Sequence, residues 1–473
     1  LAEIAAELAR RQQDGSDNAP PVYLFVYNLG RFRDLKKEDE YGFGSDDGKP
    51  ASPAKQFTAI LREGAAVGIH TILWCDTYSN VNRMLDRQSL RDFEMRVLFQ
   101  MNANDSDWLA RALESRGWEQ ADEEAARVFI LNTCSVREKP EQKVYSVLGR
   151  LERHLRRDPE VFAAVGGCVA QQIGAGFFER FPFVRLVVGT DAVALAPDAL
   201  ERLAAEPETR LALLDFLPHF SERAEPEPRP GVMGPAQAFV NIMQGCDNFC
   251  AYCIVPYVRG RQRSRRPGAV LEECRTLVER GAREITLLGQ NVNSFGLDSG
   301  GEGVSFAELL RRVAAIPGLE RLRFTTSHPK DLDPDVIRAF GELENLCPSL
   351  HLPLQSGSDA VLRRMGRRYD RARYLDLVEQ LRAARPGLAL TTDLIVGFPG
   401  ETDEDFGRTL EMMGLVGFES SFSFKYSDRP GVAAARMEPK VSEEVASARL
   451  DHLQNLQKDR KSTRLNSSHL GIS

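Results

Sequence analysis

Short apolar runs separated by helical segments fill the region from residue 237 to residue 430. Regular alternation of single apolar strands with helices indicates a parallel sheet. Six such units predict an open, partial barrel whose site faces the carboxyl ends of the strands. The predicted strands are Phe239–Met243, Glu284–Leu288, Leu322–Thr326, Leu350–Leu354, Leu388–Val396 and Ser420–Tyr426.

Residues 1–98 alternate in the same way and predict a smaller α/β fold. Strands are expected at Val22–Tyr27 and at Ile69–Cys75, with a helix over Ala54–Ala66 between them. The segment contains no G-x-x-x-x-G-K-[ST] phosphate loop. It therefore lacks the usual cradle for a nucleotide triphosphate.

A second α/β pattern covers residues 95–200 and predicts another open sheet. Its strands are expected at Arg127–Asn132 and Val161–Gly166, and each is followed closely by a cysteine, Cys134 and Cys168. Because sites in open α/β sheets form at the carboxyl ends of strands, both cysteines are candidate site residues.

Polar segments separate and follow these regions. Residues 203–236 are rich in Pro, Glu and Arg, which predicts a linker. Residues 441–460 have the pattern of a charged amphipathic helix, and residues 461–473 are polar and without periodicity. The chain is thus predicted to be an α/β protein, with N-terminal open sheet domains followed by a partial (β/α)6 barrel.

Composition narrows the class of protein. The 473 residues carry a formal net charge of −7, which argues against a uniformly basic nucleic-acid-binding surface but not against a local basic groove. No apolar run is long enough to span a membrane, and the first residues do not resemble a signal peptide. We expect a cytoplasmic protein, and the initial Leu1 suggests a fragment.

Eight cysteines occur, and three of them stand within eight residues, at Cys246, Cys250 and Cys253. This C-x3-C-x2-C loop follows the first predicted barrel strand. Three thiolates at this spacing suit a cubane [4Fe–4S] cluster with one open iron, which chelates S-adenosylmethionine (SAM) and reduces it to a radical. The alternatives are three buried free cysteines or a zinc site, but no fourth zinc ligand is evident nearby.

This triad is the signature of the radical SAM superfamily, and the surrounding motifs resemble the MiaB-type tRNA methylthiotransferases. The resemblance runs from about residue 100 to about residue 460. The motifs that carry it are Gln100–Asn102, Asn132–Glu138, Gly166–Gln171, Gly289–Val292, Thr326–Pro329, His351–Ser358 and Asp393–Thr402.

The resemblance implies a fold, two clusters and a substrate. An N-terminal domain would hold an auxiliary [4Fe–4S] cluster, with Cys134 and Cys168 as two of its ligands. The radical SAM domain would hold the other cluster on Cys246, Cys250 and Cys253. The substrate would be an N6-isopentenyl adenosine next to the anticodon, whose base gains a 2-methylthio group at the expense of two SAM molecules.

Further site residues are expected at the strand ends. Gln290, Asn291, Ser327, Gln355 and Gly397 would line the SAM site, and Tyr252 would contact the adenine. The alternative for each is ordinary turn chemistry or packing. His328 and His351 are interpreted as scaffold residues, Cys274 and Cys347 as structural, and the basic run Arg259–Arg266 either as a contact to anticodon-loop phosphates or as a solvated loop.

The expected partners follow from the same resemblance. They are the anticodon stem-loop of tRNA, SAM, a reductant such as flavodoxin and a sulfur donor, with the protein acting as a monomer. One alternative is the same chemistry on another modified adenosine or on a ribosomal protein. An alternative of another class is a DNA-translocase fragment or binding module, based on residues 1–98.

The chain departs from the family in three places. Phe99 stands where the family has its first auxiliary cysteine, and Cys75 is the only upstream alternative. Residues 1–98 resemble part of an FtsK/SpoIIIE-like ATPase domain. Residues 461–473 do not resemble the family, and its C-terminal TRAM barrel is not found. These departures favour a wrongly joined, chimeric gene sequence, with a genuine gene fusion as the alternative. The domains are then a methylthiotransferase N-terminal domain at 99–202, a linker at 203–236 and a radical SAM domain at 237–460.

Overall fold

The computed structural model describes residues 1–14, 22–27, 32–35, 52–74, 103–121, 125–133, 138–155, 160–220, 222 and 236–469. The chain forms two compact units, Leu1–Met101 and Asn102–Ser473. Among the described residues, we find no helix that combines the length and the apolar character needed to cross a membrane.

The first unit has two parallel strands, β1 (Val22–Tyr27) and β2 (Ile69–Trp74), and two helices, α1 (Ala2–Asp14) and α2 (Pro53–Glu63). Helix α2 begins where Ser52 caps it, because the Ser52 hydroxyl accepts the Lys55 amide N–H at 3.3 Å. Leu8, Ile60 and Ile69 are buried together in the core of this unit. The α/β pattern predicted here is the one observed.

The second unit begins with a four-stranded parallel sheet in the order β3–β4–β5–β6. Its two faces bury separate apolar clusters, one around Leu148 and Val165 and the other around Phe162 and Leu200. The strands are β3 (Val128–Thr133), β4 (Phe162–Gly167), β5 (Val184–Val188) and β6 (Leu211–Leu213). The helices are α3 (Ala103–Glu114), α4 (Glu138–Leu155), α5 (Cys168–Ile173), α6 (Gly176–Arg180) and α7 (Ala196–Ala205).

Six parallel strands then form two three-stranded sheets, as expected for an open, partial barrel. Residues 345–347, just before the fourth of these strands, form an isolated bridge to the third strand: the Leu322 amide donates to Asn345 O at 2.8 Å, and the Cys347 amide donates to Leu322 O at 2.9 Å. In chain order the strands are β7 (Gln237–Asn241), β10 (Glu284–Leu288), β11 (Arg321–Phe324), β12 (Ser349–His351), β13 (Ala389–Val396) and β14 (Ser420–Lys425). A short antiparallel pair, β8 (Met243–Gln244) and β9 (Arg263–Ser264), flanks the cysteine loop.

The helices that connect these strands cover one face of the sheets. The α-helices are α8 (Val255–Val258), α9 (Pro267–Glu279), α10 (Phe306–Ala314), α11 (Pro334–Glu342), α12 (Asp359–Arg364), α13 (Arg371–Ala384), α14 (Asp403–Val416) and α15 (Glu443–His469). The described 3-10 turns are Arg33–Leu35, Ala65–Val67, Ala192–Leu195, Val292–Ser294, Ser299–Gly301, Pro329–Asp331 and Ala433–Arg436.

Strand β13 shows how the two faces of the barrel differ. Leu390, Thr392 and Leu394 are buried, whereas the alternating residues Thr391 and Asp393 are partly exposed. Successive strand side chains point to opposite faces. The polar set therefore lies on the face away from the helices, where His351 Nε2 is 3.2 Å from Asp393 Oδ2.

Two observed elements contradict the sequence-based expectation, and the strand Val184–Val188 was not predicted. Leu211–Leu213 lies within the range predicted as a linker, yet it pairs with β5 as the edge strand of the first sheet. Helix α15 runs from Glu443 to His469 and so continues into the tail that was expected to lack regular structure. Leu211–Leu213 is apolar but has only three residues, too few to show a strand pattern, and residues 461–469 contain a single apolar residue, Leu465, so no helical period is visible there.

Candidate functional site

The cysteine loop leaves β8 at Gly245, a position that only glycine fills without strain. Its φ is +82°, and a Cβ there would lie 2.1 Å from Arg261 O. The Gly245 amide donates to Gln290 Oε1 at 2.8 Å. Gln290, expected at the SAM site, thus holds the start of the loop at the carboxyl end of β10.

Backbone hydrogen bonds fix the rest of the loop against three other segments. The Cys246 amide donates to Gly260 O at 3.3 Å, and the Ala251 amide donates to Met365 O at 2.8 Å. Ala251 O in turn accepts the Ala434 amide at 2.8 Å, and the Cys253 amide donates to Cys250 O at 2.9 Å. These hydrogen bonds hold the backbone of the loop that carries the three thiols.

The donor set fits an iron–sulfur cluster. Cys250 is buried, and Cys246 and Cys253 are half-buried, so the loop presents three thiols largely shielded from water. Burial raises the pKa of the Cys246 thiol and raises that of Cys253 to about 12. Thiolate is the form that binds iron, so cluster binding must displace these protons.

Within the described ranges, no three His, Cys, Asp or Glu side chains are grouped to hold a single metal ion. In a cubane cluster each thiolate binds a different iron, which is the arrangement that the C-x3-C-x2-C spacing suggests.

Asn291, at the end of β10, is connected to the cysteine loop through Asp331. Asp331 Oδ2 accepts Asn291 Nδ2 at 2.7 Å and Asn248 Nδ2 at 3.2 Å, and Asn248 lies between Cys246 and Cys250. In the described part of the chain, Asn291 Oδ1 and Ser327 Oγ are buried without a hydrogen-bond partner. Buried polar atoms are almost always paired, so these two fit a site for a polar ligand such as SAM.

Gln355 and Gly397 have backbone roles in the structure. Gln355 adopts a φ of +70° and bridges to β13, donating to Asp393 O at 2.8 Å and accepting from the Ile395 amide at 2.9 Å. Gly397 has a φ of +72°, and a Cβ there would lie 2.7 Å from Ala446 Cβ of α15. Close packing against α15 is thus sufficient reason for a glycine at 397.

Tyr252 lies on the inner side of the cysteine loop. Its ring meets Phe398 edge-on, with centroids 6.5 Å apart, and packs with Val361, Met365 and Ala434. Burial raises the pKa of the Tyr252 phenol well above its usual value. The ring is placed to form an apolar wall beside the cysteines.

The basic run after the loop divides into buried and exposed arginines. Arg263 and Arg265 are buried and paired with acidic side chains, Asp191 for the first and Glu222 and Glu273 for the second. Arg261 and Arg266 face solvent. The expected phosphate contacts therefore cannot involve the whole run, because two of its arginines support the fold.

The Asp191–Arg263 pair connects the four-stranded sheet to the cysteine loop. Arg263 Nη2 donates to Asp191 Oδ1 at 2.9 Å, and Nη1 bonds the other carboxylate oxygen. The same carboxylate accepts the Gln244 side chain, which immediately precedes Gly245, and the Leu217 amide at 2.9 Å. The side chains of Asp191 and Arg263 are only 2% and 10% exposed.

We expect Asp191→Asn to destabilise the second unit by about 3–5 kcal/mol, because it leaves the Arg263 guanidinium buried without its counter-charge. Urea titration followed by circular dichroism measures the change. Glu308→Gln is the matched control, since the Glu308–Arg312 pair is 45% exposed on both sides and should change stability by less than about 0.5 kcal/mol. Equal effects of the two substitutions on the free energy of unfolding would contradict the role of Asp191–Arg263 as a buried, stabilising ion pair.

Cys168 lies buried at the start of α5, directly after β4. Gly167 before it has a φ of +93°, and a Cβ there would come within 2.3 Å of Thr133 O. Cys168 packs against Ile254 and Val258, and Ile254 follows Cys253 in the chain. The structure thus brings this auxiliary-cluster candidate close to the radical-cluster loop. Cys75, Phe99 and Cys134 lie outside the described residues.

Sequence reasoning missed three residues that support the cysteine loop. Arg367 Nη1 lies 3.5 Å from Cys250 Sγ. Asp331 accepts a hydrogen bond from the Asn248 side chain, and Asp191 accepts one from the Gln244 side chain. His328, interpreted as a scaffold residue, also lies 4.0 Å from Cys250 Sγ through its Nε2, and burial lowers its pKa to about 2. None of these residues stands in a motif with the cysteines, so only the fold could reveal them.

Comparison with known proteins agrees with this geometry. Residues 240–413 match the family described as Radical SAM superfamily, and residues 99–189 match Uncharacterized protein family UPF0004. A tRNA-2-methylthio-N(6)-dimethylallyladenosine synthase of Nitratidesulfovibrio vulgaris is 63% identical over 362 residues, covering 76% of this chain and 79% of that protein. Proteins of the same name from Lawsonia intracellularis and Geobacter sulfurreducens are 52% and 51% identical, over 78% and 77% of this chain and 82% and 81% of their own lengths.

Solved structures give a more distant likeness. The radical S-adenosylmethionine methyltransferase TsrM from Kitasatospora setae, with cobalamin and a [4Fe-4S] cluster bound, has a TM-score of 0.49 at 14% identity, covering 88% of this chain and 74% of that one. This likeness is too weak to bear on function. The sequence relatives decide the family: the chain belongs to the MiaB-type tRNA methylthiotransferases, radical SAM enzymes that transfer sulfur and methyl groups and use [4Fe–4S] clusters and SAM.

Proposed function

We propose that this chain is built to convert N6-isopentenyl adenosine next to the anticodon of tRNA to its 2-methylthio derivative. The observation that carries the proposal is the loop of three shielded thiols at the carboxyl ends of the barrel strands, in a chain 63% identical to a synthase named for that product. Two unpartnered polar atoms, Asn291 Oδ1 and Ser327 Oγ, lie at those strand ends among the described residues.

Cys246, Cys250 and Cys253 are the proposed ligands of the radical cluster. When bound, the cluster and SAM supply the radical, and the auxiliary cluster is the site of sulfur transfer in this family. The protein's own part is to fix and shield these groups. Gln290 and Asp331 hold the loop, Asn291 and Ser327 offer polar atoms to SAM, and Tyr252 with Phe398 excludes water beside the cysteines.

Gln355 and Gly397 remain proposed neighbours of SAM, through their backbone at the ends of β12 and β13. Cys134 and Cys168 are the proposed ligands of the auxiliary cluster. The burial of Cys168 against Ile254 supports a position next to the radical cluster, since Ile254 adjoins Cys253. A third ligand would normally precede Gln100, where this chain has Phe99.

The remaining proposals concern partners and domain organisation. We infer that the chain acts as a cytoplasmic monomer on the anticodon stem-loop, with a flavodoxin-like reductant and a separate sulfur donor. Residues 99–202 would be the main part of the auxiliary-cluster domain, the range 203–236 would contain its edge strand Leu211–Leu213 and then the linker, and residues 237–460 would be the radical SAM domain. Residues 1–98 and 461–473 would come from outside the family, the first from an FtsK/SpoIIIE-like protein. The start of the family match at residue 99 supports that boundary.

The test of the substrate uses the Phe99→Cys chain, which restores the missing auxiliary cysteine, the first of the three in chain order. After anaerobic reconstitution, it is incubated with SAM, a reductant, a sulfur source and one of three substrates. These are tRNA with N6-isopentenyl adenosine, tRNA with a different N6-modified adenosine, and ribosomal protein. We expect a methylthio group by mass spectrometry in the isopentenylated tRNA alone. Modification of either other substrate in preference would replace the proposed function by its alternative.

A further inference from the structure

Arg367 is a buried cation beside the cysteine loop, with 4% of its surface exposed. Its Nη2 donates to Pro353 O at 3.0 Å and its Nε donates to the Tyr369 hydroxyl at 3.2 Å. Its Nη1 points at Cys250 Sγ, 3.5 Å away. In the part of the chain that the structure describes, no carboxylate forms an ion pair with this guanidinium.

Such a charge is costly to bury unless an anion compensates it. The carbonyl and the phenol are neutral dipoles, and the phenol is itself committed, since the Tyr369 hydroxyl donates to Leu354 O at 2.7 Å. Among the described groups that hydrogen-bond to the guanidinium, Cys250 Sγ is the remaining one. A neutral thiol would leave the guanidinium uncompensated, whereas a thiolate bound to an anionic cluster would supply the missing charge.

His328 approaches the same sulfur from another side. The Lys330 amide donates to His328 Nδ1 at 3.2 Å, so Nδ1 must be an acceptor. In the neutral ring that remains, the proton is on Nε2, and Nε2 is the atom 4.0 Å from Cys250 Sγ. The His328 ring is held edge-on against Tyr369, with centroids 5.7 Å apart. One cation and one N–H donor therefore converge on a single cysteine.

We propose that Arg367, assisted by His328, compensates the charge on the Cys250 thiolate and so raises the reduction potential of the radical cluster. The proposal rests on the cluster assignment made above. A low-potential flavoprotein or dithionite gives one electron to the cluster, which gains one negative charge and no proton. Because Arg367 is held in place before the electron arrives, its positive charge favours the reduced state, and N–H donors to cluster sulfurs act in the same direction.

The measurement is the reduction potential, followed by electron paramagnetic resonance during anaerobic titration without SAM or tRNA. The full chain carries Cys134→Ala and Cys168→Ala so that only the radical cluster contributes. We expect Arg367→Gln to make one-electron reduction about tenfold less favourable, a shift of about 59 mV to lower potential. Arg367→Lys should recover part of the shift because it keeps the charge.

Arg185→Gln is the matched control. Arg185 is also buried and donates to backbone carbonyls, at 3.2 Å to Thr209 O and 2.6 Å to Leu203 O, but it lies in the four-stranded sheet domain. Its loss should leave the potential unchanged. His328→Phe provides a second variant, since it keeps an aromatic ring beside Tyr369 and removes only the N–H donor; a smaller shift in the same direction is expected.

The outcomes separate this inference from the proposed function. In these outcomes the parent is the chain with Cys134→Ala and Cys168→Ala. If this parent failed to bind iron, the assignment of Cys246, Cys250 and Cys253 as cluster ligands would be refuted. If the parent binds a cluster and Arg367→Gln has the parent's potential at equal iron content, the inference is overturned. If Arg367→Gln binds no cluster, His328→Phe decides: an unchanged potential refutes electrostatic tuning, and a lowered one supports it.

Discussion

Replacing Cys250 by Ala is expected to reduce SAM cleavage to the level of a protein-free control. The substitution keeps the backbone, whose Cys250 O accepts the Cys253 amide, so the loop should retain its path. It removes the most deeply buried of the three thiols and the one faced by Arg367 and His328. Two thiolates hold a cubane cluster poorly, and the reductive step depends on the cluster.

The measurement is 5′-deoxyadenosine formed from SAM under dithionite after anaerobic reconstitution, together with iron per chain. Cys274→Ala is the control, because Cys274 is fully buried in the barrel core among Val270 and Val278. It should lose some stability and keep its iron and its SAM cleavage. If Cys250→Ala cleaved SAM as the parent does, the C-x3-C-x2-C loop would not be the cluster site.

Much of the fold could be predicted from the local pattern of apolar and polar residues. Glu284–Leu288 was predicted with its observed bounds, and β13 differs by one residue, because both are β-rich apolar runs bounded by turn residues. The strand Leu211–Leu213 could not be predicted from such a pattern. It has three residues within a Pro- and Glu-rich stretch, and it is a strand only because the edge of β5 offers its hydrogen bonds.

The site residues also differ in whether local sequence predicts them. The three cysteines stand in one short loop, so their spacing alone indicated a cluster. Their supporting residues are distant in sequence: Arg367 lies 117 positions from Cys250, Asp331 83 from Asn248, and Asp191 53 from Gln244. Such contacts arise when strands and loops assemble, and no periodicity or spacing in a single sequence encodes them. Burial of Arg263 and Arg265 was hidden for the same reason.

The parent chain is expected to cleave SAM without completing methylthiolation. The reason is Phe99, which stands at the position of the first auxiliary cysteine in the resemblance and lies outside the described residues. A phenyl ring has no lone pair for iron, and Cys134 with Cys168 supplies only two thiolates. We therefore expect about four iron atoms per reconstituted chain rather than about eight, since each cubane holds four.

Mass spectrometry of isopentenylated tRNA decides this prediction, with the parent and Phe99→Cys chains reconstituted side by side. The parent should yield 5′-deoxyadenosine but no methylthio product, because its radical-cluster ligands are intact while its auxiliary set is incomplete. Phe99→Cys should raise iron per chain and give product, and Phe99→Ser is the control for merely removing the ring, since a hydroxyl binds such clusters far less well than a thiolate. Product from the parent over several turnovers would show that another group, with Cys75 the nearest upstream thiol, completes the auxiliary site.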